Sequence, residues 1–260
     1  MATAIAKAKA AGMAAVAVRN SAHFGACGFY SSMAADAGLI GMTSTSAAGI
    51  RERPTGGAEA KFGTDPWSFA APAADGRHFL LDMATTTVAA GKVRNRANEA
   101  LPCPPGWVLT RDGAPTTDAL ELFQRGGFLT PLGGTAEGSS HKGYGLSAMV
   151  NILSACLSGA TLITDPRHMK QPFGQDIGHF FLALDPGLFR DAAGFRADVT
   201  AFCNALRATK PADPAKPVQV AGDPERAHAA RRKVEGIPVG RNLLAKVRAI
   251  AEESGAPWLL

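Results

Sequence analysis

The chain has 260 residues, 46% hydrophobic and 19% charged, enough apolar material to bury a substantial core as one large or two smaller domains. The net charge of +5 comes from scattered basic residues. The one basic cluster, Arg226, Arg231, Arg232 and Lys233, is interrupted by Ala229 and Ala230 and has no interleaved aromatics, which argues against nucleic acid and leaves a mild positive field suited to a carboxylate or a phosphorylated ligand. No apolar stretch approaches the roughly 20 residues of a membrane span. The four cysteines, Cys27, Cys103, Cys156 and Cys203, form no CxxC pair and no recurring ligand spacing with histidine, so the expectation is reduced thiols, no metal and a cytoplasmic setting.

Residues 3–11 read as an Ala-rich helix stopped by Gly12, followed by a strand at 14–18. Asn20-Ser21-Ala22-His23-Phe24-Gly25 then leads into a helical pattern over 25–37, where Ala26, Phe29, Tyr30, Met33, Ala34 and Ala37 share one face and Gly38 ends it. His23 therefore sits at a strand-to-helix turn, where an imidazole, titrating near neutrality, can be exposed to a cleft; the other reading is a histidine bonded to its own loop. A strand at 39–43 is followed by irregular sequence over 44–61, and further strands are expected at 67–71 and 79–83. The second of these runs into Leu81-Asp82-Met83-Ala84-Thr85-Thr86-Thr87, whose small side chains and hydroxyls suit a backbone-lined ligand wall, and helix is expected over 87–98. Asp82 could instead be a buried carboxylate capping the next helix.

A short helix is expected at 118–124 and a longer one at 143–158, in which Leu146, Met149, Val150, Leu153 and Leu157 share a face. Its start, Lys142-Gly143-Tyr144-Gly145-Leu146, combines a cation, two glycines and the free N–H groups of a helix N-terminus, a pattern that suits an anion. Residues 161–178 are irregular, 179–184 read as a strand and 197–208 as a helix, and a Pro-rich linker at 211–217 precedes helices at 224–235 and 241–254. Alternation of this kind indicates an α/β protein. No Gly-x-Gly-x-x-Gly follows a strand, so the usual dinucleotide fingerprint is missing.

Taken in order, Asn20 to Gly25, Gly38-Leu39-Ile40-Gly41, Gly56-Gly57-Ala58-Glu59, Gly63-Thr64-Asp65-Pro66, Leu81 to Thr86, Gly91-Lys92-Val93, residues 112–118, Pro131-Leu132-Gly133-Gly134, Lys142 to Leu146 and Gly222-Asp223-Pro224-Glu225-Arg226 resemble the malate/L-lactate dehydrogenase family of NAD(P)-dependent oxidoreductases. The resemblance implies an α/β fold unlike the Rossmann type, a mixed sheet flanked by helices. It also implies hydride transfer between a nicotinamide cofactor, NAD or NADP, and a small carboxylate substrate, a 2-hydroxy acid with its 2-oxo acid or a cyclic imino acid.

Carried over residue by residue, the resemblance makes His23 the acid/base group. It has Asp82, Met83, Ala84 and Thr85 line the cofactor, His141 and Lys142 contact its phosphates or the substrate end, and Gly222, Asp223 and Pro224 close over it, with Ser46 as a further cofactor contact. A homodimer is implied as well. Arg94 and Arg96 could meet a 2'-phosphate or form a solvated helix face. His78, His168, His179 and His228 match no motif, and Asp65 stands where the family usually has Asn. Family members usually begin with a Ser-His-Gly stretch and an Arg that serve the active site. Their absence ahead of residue 20 leads to the expectation of a first-domain remnant at 1–20, a cofactor-binding body at 21–210 and C-terminal helices at 211–260 packing back on it. It also keeps open a catalytically idle member that folds, dimerises and binds nucleotide.

Overall fold

The computed structural model describes residues 1–47, 49–165 and 176–259, and these divide into two compact units, Met1–Ala221 and Gly222–Leu260. The first unit opens with helix α1 (Ala2–Ala11), strand β1 (Met13–Ser21), helix α2 (Cys27–Asp36) and strands β2 (Ile40–Thr45), β3 (Trp67–Ala71) and β4 (Phe79–Met83). Helix α3 (Ala90–Asn98), strands β5 (Val108–Leu109) and β6 (Pro115–Thr116), helix α4 (Glu121–Gln124) and strand β7 (Phe128–Leu129) come next. Helix α5 (His141–Asn151), strand β8 (Ile177–Leu184) and helix α6 (Ala192–Arg207) complete it.

The main sheet has the order β1-β8-β2-β3-β4, with every neighbouring pair antiparallel. A smaller antiparallel sheet, β6-β5-β7, is joined to the loop after β2 by a parallel bridge between Glu52 and Leu129. This is the α/β arrangement of sheets flanked by helices that the sequence leads one to expect. Along β2, Thr43 bonds Ser31 of α2 at 3.0 Å, while the next residue, Ser44, bonds Ser154 beyond α5 at 2.8 Å. Successive strand residues point to opposite faces, so helices cover both sides of the sheet.

Small residues set how closely those layers approach. Ala4, Ala8 and Ala34 pack with Leu39, Phe181 and Ala183 in one core, and a Cβ on Gly41 would come within 2.7 Å of both the Ala34 methyl and the Ser31 carbonyl. A second core of Val88, Val93, Cys103, Val108, Ala119, Leu122 and Leu129 lies around the small sheet.

Strands 67–71 and 79–83 fall where the sequence places them, whereas several helices differ at their ends, the one expected from 197 starting at Ala192 and the one expected from 118 only at Glu121. The helix expected from 87 starts only at Ala90, because Thr87 donates its N–H to Thr130 and Thr86 pairs with Pro131. The helix expected to reach 158 changes after Asn151 into a π turn, Ile152–Cys156, where Gly178 of β8 lies so close that a Cβ would overlap the Ser154 carbonyl. Residues 211–221 belong to the first unit, with Leu80 donating to the Ala221 carbonyl at 3.1 Å.

The second unit contains α7 (Asp223–Glu235) and α8 (Arg241–Ser254). On α8 the exposed Leu243, Val247 and Ile250 recur at helical spacing. Among the described residues no helix is long and apolar enough to cross a membrane, and no three His, Cys, Asp or Glu side chains gather to hold a metal. His168 lies outside the described residues.

Candidate active site

His23 follows the edge strand β1, whose end is pinned where the Asn20 N–H, in a left-handed conformation, reaches Asp176 at 2.6 Å. The His23 ring is exposed, and its Nδ1 accepts the Gly25 N–H at 3.1 Å. A nitrogen that accepts a backbone N–H carries no proton, so the neutral ring holds its proton on Nε2, ready to be donated outward. Both readings of this histidine are therefore partly realised, since it bonds its own loop and also faces a cleft. That cleft is a cavity of about 60 Å³ shared by His23, Phe24, Thr45, Ser46, Ala47 and Thr64.

The wall opposite His23 is fixed by internal bonds. Ser46, 2% exposed, gives its N–H to the Gly178 carbonyl and accepts the Gly178 N–H on its hydroxyl at 3.1 Å. Asp65 is fully buried, accepting the Ala47 N–H on one oxygen at 2.8 Å and the Gly63 N–H on the other at 3.0 Å. Burial pushes its carboxyl up to about 6, against the opposing pull of the Ala47, Asn151 and Gly63 hydrogen bonds. The carboxylate in place of the family's amide thus fits a pocket that offers it two donors.

From Thr64 the wall continues to the expected cofactor-lining stretch. Thr85 donates its N–H to the Thr64 carbonyl, and its hydroxyl, also fully buried, lies 3.1 Å from that carbonyl and 3.2 Å from that of Asp65. The Thr85 side chain is spent inside the protein. Met83 and Ala84 are half-buried and remain available to a ligand. Asp82 behaves differently from its neighbours: its carboxylate is exposed and accepts the Gly28 N–H in the first turn of α2 at 2.8 Å. That is a helix-capping contact, on a helix earlier in the chain than the one the sequence suggests.

The start of α5 is tied to this wall through Leu132, which donates to the Thr85 carbonyl at 2.9 Å and accepts the Gly143 N–H at 3.2 Å. His141 and Lys142 are exposed there, and Lys142 forms no ion pair among the described residues. The expectation of vacant N–H groups needs correction, because Lys142, Gly143 and Tyr144 donate theirs to Ser139, Leu132 and Ser140. An anion would meet side-chain charge here rather than a bare helix end. The two glycines have separate jobs: a Cβ on Gly143 would overlap the Leu132 backbone, whereas nothing lies within 4 Å of one on Gly145.

Behind the wall Glu52 and Ser147, both fully buried, meet with the Ser147 hydroxyl 3.0 and 2.9 Å from the two carboxyl oxygens and 2.9 Å from the Thr85 hydroxyl. Burial pushes the Glu52 carboxyl up to about 8, the Ser147 bond working against this and the nearby Asp65 with it. Neither Glu52 nor Ser147 stands in a sequence motif, and only the placing of an acidic residue between Arg51 and Arg53 hints at it.

Gly222, Asp223 and Pro224 begin the second unit. Gly222 is left-handed at φ 98°, Pro224 occupies the first turn of α7, and Asp223 pairs with Arg226 at 2.7 Å. Larger hollows exist, one of about 230 Å³ beside Arg53, Thr55 and Ser140 and one of about 440 Å³ beside Leu101 and Asp118. Neither contains a histidine, so volume does not select the site.

A family model described as malate/L-lactate dehydrogenase matches residues 1–248. The malate dehydrogenase of Pyrococcus horikoshii is 36% identical over 260 residues, which are 100% of this chain and 71% of that protein. The crystal structure of a malate dehydrogenase from Entamoeba histolytica superposes with a TM-score of 0.92 at 30% identity, covering 100% of this chain and 73% of that one. A Δ1-piperideine-2-carboxylate reductase from Pseudomonas syringae superposes at 0.78 and 30% identity, over 96% of this chain and 71% of that one.

Proposed function

The chain belongs to the malate/L-lactate dehydrogenase family, and from that premise we propose that it is an NAD(P)-dependent oxidoreductase interconverting a small 2-hydroxy acid and its 2-oxo acid at the cavity beside His23. One observation carries this reading: a histidine whose Nε2 is presented outward shares a cavity with a rigid wall that leads, through Thr64, Thr85 and Leu132, to the cationic start of α5.

A nicotinamide cofactor fits the residues along that wall. Met83 and Ala84 offer a surface of small to medium side chains, Lys142 supplies a cation without an ion-pair partner among the described residues, and the open side of Gly145 leaves room beside it. His141 and Ser46 complete the proposed contacts, while Asp82 and Thr85 serve by holding α2 and the wall in place. The bound cofactor supplies or takes up hydride at C2 of the substrate.

Reduction also needs a proton at the C2 oxygen. Nε2–H of His23 can donate a hydrogen bond to that oxygen while the ring is neutral. Transfer of the whole proton requires an imidazolium, and its Nδ1–H could no longer accept from Gly25. Giving up the Nε2 proton leaves the other one on Nδ1, so the Gly25 bond, open in the imidazolium, re-forms only after the ring has exchanged with solvent back to its Nε2–H tautomer. In the oxidative direction the same nitrogen removes the hydroxyl proton, starting from the Nδ1–H tautomer, in which Nε2 is bare and the Gly25 bond is open.

The likeness to a piperideine-carboxylate reductase favours a second substrate class, the cyclic imino acids, for which His23 would protonate nitrogen. Replacing His23 by Ala is the test, with kcat measured against a panel of 2-oxo acids and cyclic imines. A fall of about 10²–10⁴-fold with cofactor binding retained is expected of a positioned acid. Equal rates in the two proteins would remove His23 from the chemistry, and cofactor binding without turnover in the parent chain would make it an idle member of the family.

A further inference from the structure

His179 matches no motif, yet it is 2% exposed in the middle of the sheet, on β8, level with Thr45 of β2 and Val18 of β1. Its Nδ1 lies 2.7 Å from the Thr45 hydroxyl, which also reaches the Gly178 carbonyl at 3.3 Å and the Ser46 carbonyl at 3.1 Å. One ring face stacks on Phe24 at 4.2 Å and 3°. Phe24 stacks in turn on Tyr30 at 4.6 Å, and the Tyr30 hydroxyl donates to the Phe24 carbonyl at 2.9 Å.

The residue after His23 is thus clamped between two rings, one of them His179. The residue before it, Ala22, also acts on the His179 ring: burial holds the imidazole below its usual range, the Ala22 carbonyl opposes this from beyond hydrogen-bonding geometry, and His23 adds to it. A ring held neutral by burial does not compete with His23 as an acid. It can still hold things in place.

We propose that His179 is the positioning residue of the site, tying the His23 loop to the Thr45–Ala47 wall so that the gap between them, where the substrate oxygen must sit, is fixed. The inference rests on the reading of His23 as the proton donor. Two features of the structure meet in it. The stacked Phe24 and the hydrogen-bonded Thr45 both line the His23 cavity, and His179 touches both. Proton transfer tolerates little displacement, so a loop that drifts by about 1 Å loses roughly a hundredfold in rate without losing its ligands.

Two substitutions in the full chain test this. His179→Phe keeps a ring for Phe24 and removes the bond to Thr45; Thr45→Val removes the same bond from the other end. Each should lower kcat roughly 10- to 100-fold with cofactor affinity and thermal midpoint close to the parent's, and the double variant should be no slower than the slower single one, because both break one tie. A folded His179→Phe with the parent's kcat overturns the proposal. If His179→Phe does not fold, the Thr45→Val rate decides alone.

His23→Ala, run in parallel, shows whether His23 carries the chemistry. Should it not, nitrogen-15 spectra of labelled histidine still report the tie: the His23 ring should keep its Nε2–H signature in the parent and move toward free histidine in both variants, and unchanged ring signals would again overturn it.

Discussion

At the scale of single residues, two buried carboxyls lie beneath the wall of the site. Glu52 forms no ion pair among the described residues, and one serine hydroxyl cannot donate to both of its oxygens and to Thr85 at once. A protonated Glu52 resolves the shortage by donating to Ser147, in keeping with a carboxyl pushed up to about 8. Because that value is raised above the unfolded one of 4.5, the folded state binds the extra proton. Its stabilising effect is complete below the unfolded value and is lost as pH rises toward 8. The thermal midpoint should therefore fall between pH 5 and 8 by several degrees, and Glu52→Gln, which resembles the protonated acid, should flatten that fall. A parent and variant with parallel pH profiles would show that Glu52 is ionised throughout.

Lys142 makes a separate prediction. If its ammonium meets a phosphate, Lys142→Ala should weaken cofactor binding roughly 5- to 100-fold, measured by fluorescence titration, and unchanged affinity would take Lys142 out of the site. At this scale the sequence located His23 and its turn, because an imidazole between a strand and a helix is a local pattern. It could not foresee that Asp82 caps α2, or that Thr85 turns inward. Those outcomes depend on Gly28 and Ser147, which are 54 and 62 positions away in the chain.

At the scale of elements, the lesson lies in the Lys142–Leu146 stretch. Its helix was legible from the spacing of apolar residues, and its glycines were legible as special. Which of the two is structural was not, because that is decided by how closely Leu132 passes. Gly143→Ala should separate α5 from Leu132 and lower the thermal midpoint by several degrees, whereas Gly145→Ala, in open space within a helix, should be neutral or raise stability by about 0.5–1 kcal/mol. Equal effects in the two variants, read by thermal unfolding, would refute this division of labour. Strands β5, β6 and β7 escaped the sequence reading because two residues cannot show an alternation. They are recognisable only through their pairing.

At the scale of the whole molecule, the class of fold was legible and the strand order was not. Composition and alternating patterns suffice for an α/β assignment, but nothing in a sequence announces that β8 pairs with β1 and β2 rather than with nearer strands. In the first unit the large apolar side chains of Phe29, Phe189 and Phe202 are 66%, 76% and 62% exposed. Association is expected to cover such surface, and light scattering at micromolar concentration should give twice the mass of 26.9 kDa. A monomer under those conditions would refute the dimer.

The position of β8 also has a consequence for how the chain is made. β1 and β2 leave the ribosome early, and β2 can pair with β3 soon afterwards, yet β1 finds its partner and β2 its second one only when residues 177–184 have followed, more than 130 positions after β2. Until then β1 and one edge of β2 must stay unpaired without joining each other, and closing such long loops is slow. Folding of the first unit should be late and abrupt during synthesis. Resistance to protease should be missing from nascent chains that stop short of β8 and present in those that have exposed it.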